Sequence, residues 1–345
     1  MYNKTIAYLK GEGTKANWME LKTKLIRDSS EPWMTIAPYQ VRSIAIKEAC
    51  KTVSNCKKKF KQTGKFNEAS FRSKHDLKQS FYLAKSAIDS KGFMNRTLGC
   101  MRYAEKLPDI EFDCRVVLDH GVWYVSIPVN MTIEAPKTKE LIVSLDPGVR
   151  TFQTFYSPNV CGSIGCRAWE RLFRRCVALD GIKSKLTSKD LRAKSRRQLK
   201  LAANRISRQL TWLRDELHWK VATFLAKSFR FVVIPEFSAG EMSKKSSRKI
   251  RNKTVSNMLT QANSLFRDRL KQQAEKYGST VFVTSEAYTS KTCTRCGHEH
   301  TKLRGAEVFK CPSCGLTISR DINGARNILL RAMPDLAEVV LHRKY

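Results

Sequence analysis

Four cysteines in two pairs, and a few carboxylates at the ends of apolar runs, are the residues of this chain best suited to chemistry. Cys293 and Cys296 are two residues apart, as are Cys311 and Cys314, with 14 residues between the pairs. Each Cys-x2-Cys presents two thiolates on one side of a tight turn, and two such knuckles complete a tetrahedral four-thiolate zinc site. Four protein ligands close the shell, so the expected Zn²⁺ is structural rather than catalytic. Gly297 and Gly315 follow the second cysteine of each pair, where backbone freedom helps the turn. His298 and His300 are surplus to a full shell and read as surface residues or phosphate contacts.

The carboxylates are less self-evident one by one. Asp146 ends the apolar run Leu141–Leu145 and precedes Pro147-Gly148. Alone it could be a turn former. Asp321 sits at the start of the last helix, where capping is the bland explanation. Another apolar run, Phe231–Ile234, closes in Pro235-Glu236. Together they form an ordered set: strand–Asp–Gly–strand, a strand ending in Glu, a strand entering the cysteine block, and an acidic helix start. Three carboxylates at one end of a sheet can hold two Mg²⁺ ions ~3.5–4 Å apart and hydrolyse phosphodiesters by in-line attack of water. No covalent protein nucleophile is needed, and none stands out.

Composition narrows the partner. Lys and Arg total 64 against 31 Asp and Glu, a net charge of +33 over 345 residues. Such a surplus calls for a polyanion, and nucleic acid is the natural one because each phosphate contact releases a counterion. An acidic membrane surface is the rival, but there is no signal peptide and no run of 18 apolar residues. Hydrophobic residues make up 42%, enough for a sizeable core. The 11 cysteines, an odd number without a secretion signal, point to a reducing, intracellular setting. Cys50, Cys56, Cys100, Cys114, Cys161, Cys166 and Cys176 read as small buried hydrophobes.

The elements that must position these groups follow from periodicity. Residues 1–90 read as mainly helical, with Ile46, Ala49, Cys50 and Val53 at helical spacing. Two β-rich runs from Cys114 to Val129 flank Asp119-His120-Gly121, a hairpin signal. Residues 136–139 look like a linker. Leu141–Leu145 and Thr151–Tyr156 give strand, turn, strand. Residues 183–230 read as long helices with an apolar stripe at Leu210, Leu213, Leu217, Val221 and Leu225. They carry 14 basic residues against three acids, fitting a solvated face or a phosphate-facing one. Lys244–Lys253 reads as a basic loop, Val255–Tyr277 as one amphipathic helix, and Thr280–Thr284 as a third buried strand.

Three blocks carry a resemblance. They are Leu145-Asp146-Pro147-Gly148-Val149-Arg150, Thr289 to Gly297, and Arg320-Asp321-Ile322-Asn323-Gly324-Ala325-Arg326-Asn327. They resemble the signature blocks of the TnpB transposon-encoded nucleases, as do Phe71-Arg72-Ser73-Lys74 and Trp123–Pro128. Some features are closer to Fanzor, the eukaryotic and viral relatives. The resemblance implies an α/β protein with an RNase H-like (RuvC) nuclease core and an inserted four-Cys zinc ribbon, preceded by a helical recognition region and a partial β-barrel. The expected layout is a recognition region at 1–105, a barrel hairpin at 106–138, and a RuvC core at 139–290 with basic helices 183–230. A ribbon at 291–318 and the final RuvC helix and tail at 319–345 complete it. The activity implied is RNA-guided DNA cleavage encoded by a transposable element, with guide RNA and target DNA as partners and no membrane. A monomer and a dimer are both compatible. The nucleus is the expected compartment for a eukaryotic or viral host, otherwise the cytoplasm.

Two departures from the family pattern stand out. The family places its middle catalytic Glu directly after the hydrophobic strand, where this chain has Pro235, with Glu236 one residue late. A one-residue slip turns a strand side chain to the other face. Glu286, ending the next strand as in Fanzor-like proteins, is therefore the preferred third Mg²⁺ ligand beside Asp146 and Asp321, with Glu236 the alternate. The chain also opens on Met1-Tyr2-Asn3, a position internal to the family pattern, so a first strand is expected to be missing from the barrel. Three rivals remain at this level: a nucleic-acid-binding protein that does not cut, a strand-transfer transposase, and a dimeric junction resolvase.

Overall fold

The structure is a computed structural model that describes all residues except 12, 29–30, 90–91, 100, 135–139, 237–251, 286–288, 302, 304–305 and 343–345. It divides into two compact units, Met1–Asn130 and Met131–Tyr345.

The first unit opens with helices α1 (Tyr2–Leu9), α2 (Trp18–Arg27), α3 (Pro32–Ile36) and α4 (Tyr39–Thr63). Leu21 and Leu25 of α2 close on Ile46 and Cys50 of α4, while Ile6 of α1 packs on Ala49. The helices stop earlier than the periodicity of 1–90 suggests. Lys78–Leu83 is a strand, β1, whose Phe81-Tyr82 pair suits a pleated surface. The short β2 (Ile88–Asp89), β3 (Gly92–Phe93) and α5 (Asn95–Leu98) follow. Next come β4 (Cys114–Asp119) and β5 (Val122–Ser126), joined through His120 (φ 45°) and Gly121 (φ 81°). Two successive positive φ values make the primed turn that matches strand twist. The expected hairpin is thus two strands of a three-stranded sheet, β1-β4-β5. Glu48 of α4 ties this sheet to the helices by ion pairs to Arg72 (3.1 Å) and Arg115.

The second unit is built on a five-stranded sheet in the order β10-β9-β6-β7-β8. β6 (Glu140–Asp146), β7 (Gln153–Tyr156) and β8 (Cys161–Ile164) form an antiparallel meander. Helices α6 (Ala168–Leu186) and α7 (Ala193–Ser228) lead to β9 (Phe229–Pro235), parallel to β6. After α8 (Asn252–Gln261) and α9 (Asn263–Lys276), β10 (Thr280–Thr284) adds in parallel to β9. A meander extended by parallel strands on its first strand is the topology expected of an RNase H-like core. β10 is an edge strand and only half-buried, not the buried strand its apolar sequence suggests.

Strand alternation splits the core into two faces. Val143, Leu145, Val232 and Ile234 pack with Phe152, Val221, Leu225, Phe266 and Leu270 on the α7/α9 side. Ile142, Phe231 and Val233 pack on the other side against Ile328, Leu329, Ala332 and Leu336 of the last helix, α10 (Arg320–His342). Truncating a fully buried ring such as Phe266 to Ala would cost about 3–5 kcal/mol. The single helix expected over Val255–Tyr277 is broken at Ala262, which adopts φ +48°. The Gln261 carbonyl just before the break accepts instead from His218 Nε2 at 2.8 Å.

The small strand β11 (Val308–Lys310), between the two cysteine knuckles, pairs antiparallel with β12 (Thr317–Ser319), which leads from the second knuckle into α10. Cys50 and Cys114 are buried as expected of small hydrophobes, but Cys161 and Cys166 are exposed. Both lie at the outer strand β8 and the turn after it, where no layer covers them. Cys100 lies outside the described residues.

Candidate functional site

The four sulfurs of Cys293, Cys296, Cys311 and Cys314 all lie within 4.8 Å of one another, and no other group of three or more such ligands occurs among the described residues. Cys293–Cys314 and Cys296–Cys311 are each 3.6 Å apart. A tetrahedron with Zn–S bonds of about 2.3 Å has edges of about 3.8 Å, so the cage fits zinc. The two knuckles repeat one hydrogen-bond pattern. Cys293 N–H donates to the His298 carbonyl and Gly297 N–H to the Cys293 carbonyl. Cys311 N–H to Leu316 and Gly315 N–H to Cys311 mirror them. Gly297 (φ 73°) and Gly315 (φ 72°) hold the left-handed conformation each turn requires. The Cys314 N–H points at the Cys311 sulfur and pulls that thiol down to about 6, toward the thiolate zinc needs. His300 lies edge-on to Phe309, and His298 is exposed.

The carboxylates sit where β6 meets α10. Asp146 ends β6 and is half-buried, and Asp321 is exposed in the first turn of α10. Two contacts bring helix and strand together. Ser144 Oγ donates to the Ala325 carbonyl at 2.7 Å. The Asp146 carboxylate lies so close to Gly324 that a Cβ there would meet Oδ2 at 2.5 Å. Asp146 and the Asp321 turn of α10 are therefore neighbours at the carboxyl end of β6. Glu236 is exposed just beyond β9, and its N–H donates to the Thr284 carbonyl at 2.9 Å. Glu286 lies outside the described residues.

Side-chain amides near this junction were not singled out by spacing. Asn327 Nδ2 donates to the carbonyls of Thr289 (2.8 Å) and Thr292 (2.6 Å). Asn323 Nδ2 donates to the Thr292 carbonyl (2.8 Å), while its Oδ1 accepts from Thr294 N–H (3.2 Å). The α10 face that approaches Asp146 thereby also grips the entry to the first knuckle. On the other side, Asn257 and Gln261 of α8 both donate to the Val149 carbonyl, pinning the loop after Asp146. In the first unit, Asn3 brackets the Arg72 backbone (2.8 and 2.7 Å), and the Arg72 guanidinium stacks 3.9 Å over Tyr2. Motif segments far apart in sequence are thus each other's partners.

Residues 264–328 match the Cas12f1-like TNB domain family, spanning α9 to α10 and the cysteine cage. A protein of Paramecium bursaria Chlorella virus 1 named as a transposase, A625R, is 32% identical over 87% of this chain and 70% of its own length. TnpB-like protein L79 of Acanthamoeba polyphaga mimivirus is 28% identical over 54% of this chain and 36% of its own length. The chain belongs to the TnpB family. InsQ of Escherichia coli K12, named as an RNA-guided DNA endonuclease, is 25% identical over 95% of the chain and 81% of its own length. Among solved structures, the Cas12f1 chain of a complex with sgRNA and target DNA superposes with a TM-score of 0.52 at 14% identity. The match covers 95% of this chain and 79% of that one. At that identity the likeness speaks for a shared fold of this TnpB-family chain, and for no more.

Proposed function

We propose that this chain is an RNA-guided DNA endonuclease encoded by a transposable element. It hydrolyses DNA phosphodiesters at a RuvC-type site formed by Asp146, Glu286 and Asp321. The observation that carries the proposal is the close approach of the Asp146 carboxylate to the helix turn that bears Asp321. Strand parity speaks against Glu236 as the third ligand, which leaves Glu286, the preferred residue by resemblance. Asp146 shares the α10 side of the sheet with Ile142 and Ser144, whose contacts reach that helix. On β9 that side belongs to Phe231, Val233 and Pro235, so Glu236 continues the opposite face. On β10, Phe282 packs on the α10 side, 5.8 Å from Phe231.

Hard carboxylate oxygens are the donor set that Mg²⁺ favours. Bound there, Mg²⁺ would activate water and neutralise charge developing on the phosphate. Asp146 and Asp321 would hold it with Glu286, while Gly324 and Ser144 fix the strand–helix spacing. The net charge of +33 suits a protein bound to guide RNA and target DNA.

The test is cleavage of labelled guide-matched DNA in Mg²⁺ by protein purified with its native flanking transcript. Wild type is expected to cut. Asp146→Ala, Asp321→Ala and Glu286→Ala yield no product, and Glu236→Ala keeps cutting. Binding without cutting by wild type would replace this reading with that of a binding protein. Because A625R is named as a transposase, the same gels are read for joined strands, which would mark strand transfer instead.

A further inference from the structure

The Asp146 end of the sheet continues sideways into a groove that the carboxylate site leaves unexplained. Thr154 of β7 lies opposite Asp146, and Ser163 of β8 opposite Thr154. Two strand spacings put Ser163 about 10 Å from Asp146. Two residues later, Gly165 turns the chain into α6. A Cβ at Gly165 would stand 2.7 Å from the Phe152 Cβ and 3.5 Å from Leu217. The mouth of α6 is thereby packed against the loop that follows Asp146.

Between this turn, the first turns of α6 and the flank of α7 opens a groove of about 740 Å³. Arg167, Arg171, Arg174, Arg175 and Lys220 line it, with only Glu170 and Glu216 as acids. Lys220 already pairs with Glu216 at 2.7 Å. None of the four arginines enters an ion pair among the described residues. Arg175 alone uses a guanidinium proton, on the Arg171 carbonyl at 3.1 Å. Folding gains nothing from like charges gathered this way, which leaves them available to an anion from outside. The start of α6 has no side-chain cap, and its Ala168 and Glu170 N–H groups turn back on the Gly165 and Arg167 carbonyls, so the arginines are the donors that count here. Trp212, 56% exposed, stands one helical turn before Glu216 on the rim, a surface on which a base can stack.

We propose that this groove holds the phosphodiester backbone of the DNA strand being cut, at nucleotides flanking the scissile bond. The proposal rests on the carboxylate reading for its orientation. A strand lying over Asp146 reaches the arginines within a few nucleotides along the same sheet end. Guanidinium forks are suited to gripping phosphates in pairs.

The test is a salt titration of binding of a 15-nucleotide fluorescent oligo(dT) by the full chain carrying Asp146→Asn. Single-strand binding loses about 0.7 in the slope of log K against log salt for each phosphate contact removed. Arg171→Gln and Arg174→Gln are each expected to lower the slope by about 0.7, and the pair by about 1.4. Arg→Lys at both positions should keep it. Binding of a folded RNA hairpin should keep its slope in every variant. Unchanged oligo(dT) slopes in folded single variants would overturn the proposal. So would an equal loss on the hairpin, which would make the groove an RNA site. Because the readout is binding, a slope loss in a protein whose wild type never cuts would retire the nuclease reading, and with it the scissile strand, and leave the groove as a single-stranded DNA site.

Discussion

Gly324 stands where α10 passes Asp146, and the spacing leaves no room for a methyl group. Two effects oppose each other on replacing it with Ala. Helix propensity gains about 1 kcal/mol, while the new Cβ must displace the carboxylate. A half-buried, end-of-strand side chain moves more easily than a helix, so Gly324→Ala should melt no lower than wild type yet lose cleavage at least about tenfold, roughly 1.4 kcal/mol of barrier. Retained cleavage would show that the position of Asp146 is not critical. A second residue sets the response to acid. His218 is fully buried among Phe152, Phe266, Arg214, Asp215, Arg269 and the Gln261 carbonyl, and burial pushes its pKa down to about 4. The unfolded chain takes up this proton near 6.5, the folded one only near 4. Stability should therefore fall by about 2–3 kcal/mol between pH 7 and 4.5 and level off below about 4. Asp215, held low by Arg269 and Arg214 despite its burial, adds its loss only below that window. Urea unfolding of His218→Gln should be flatter between pH 7 and 4.5 than wild type. Among these residues, Asp146 was legible because a charge ending an apolar strand is anomalous. The roles of Gly324 and His218 were not legible, because a close approach and a buried tautomer depend on neighbours far away in sequence.

The ribbon and the last helix are joined through amides rather than through the metal. Asn327→Ala removes one hydrogen bond from the Thr289 carbonyl and one from the Thr292 carbonyl, which keeps its bond from Asn323 Nδ2, in a stretch where Thr289 is buried. Losing two such bonds costs about 1–3 kcal/mol. The variant should lose that much in urea and lose cleavage, while keeping a full zinc content by metal analysis. Loss of zinc as well would mean that the knuckles depend on α10 for their own folding. The knuckles themselves were fully legible, because their spacing is local and dictated by the metal. Elements whose reason is tertiary were not. β8 is a four-residue outer strand containing Gly162, without alternation to betray it. The start of α6 lies 15 residues before the helix expected from 183, although Trp169, Leu172, Phe173, Cys176 and Leu179 repeat at helical spacing. β1 was masked by the helical run before it, and the break at Ala262 by an unbroken amphipathic pattern on both sides.

At the scale of the molecule, each unit carries its own interior. The clusters around Ile46, Ala49 and Leu83 use residues before Asn130 alone, and those around Phe266, Ile328 and Phe309 use residues after it alone. Apolar burial is the dominant stabilising term, so a unit that shares no core residue with its neighbour should fold without it. The fragment 131–345 is therefore expected to melt cooperatively, bind one zinc, and stay within about 4 °C of the corresponding transition in the full chain. That shift corresponds to about 1 kcal/mol for a unit of this size. Scanning calorimetry with zinc analysis checks it. A fragment that aggregates, or melts much lower, would mean that the second unit depends on the first more than their separate cores suggest. The sequence suggested a linker at 136–139, which lies outside the described residues, while the two units divide at Asn130 and Met131. The +33 charge pointed to a polyanion without saying where it binds, because a net charge has no location until the helices bring Arg167, Arg171, Arg174 and Arg175 together. If the fragment folds, the arginine groove and the carboxylates can be tested in it free of the first unit. Phosphate contacts that survive there belong to the core alone.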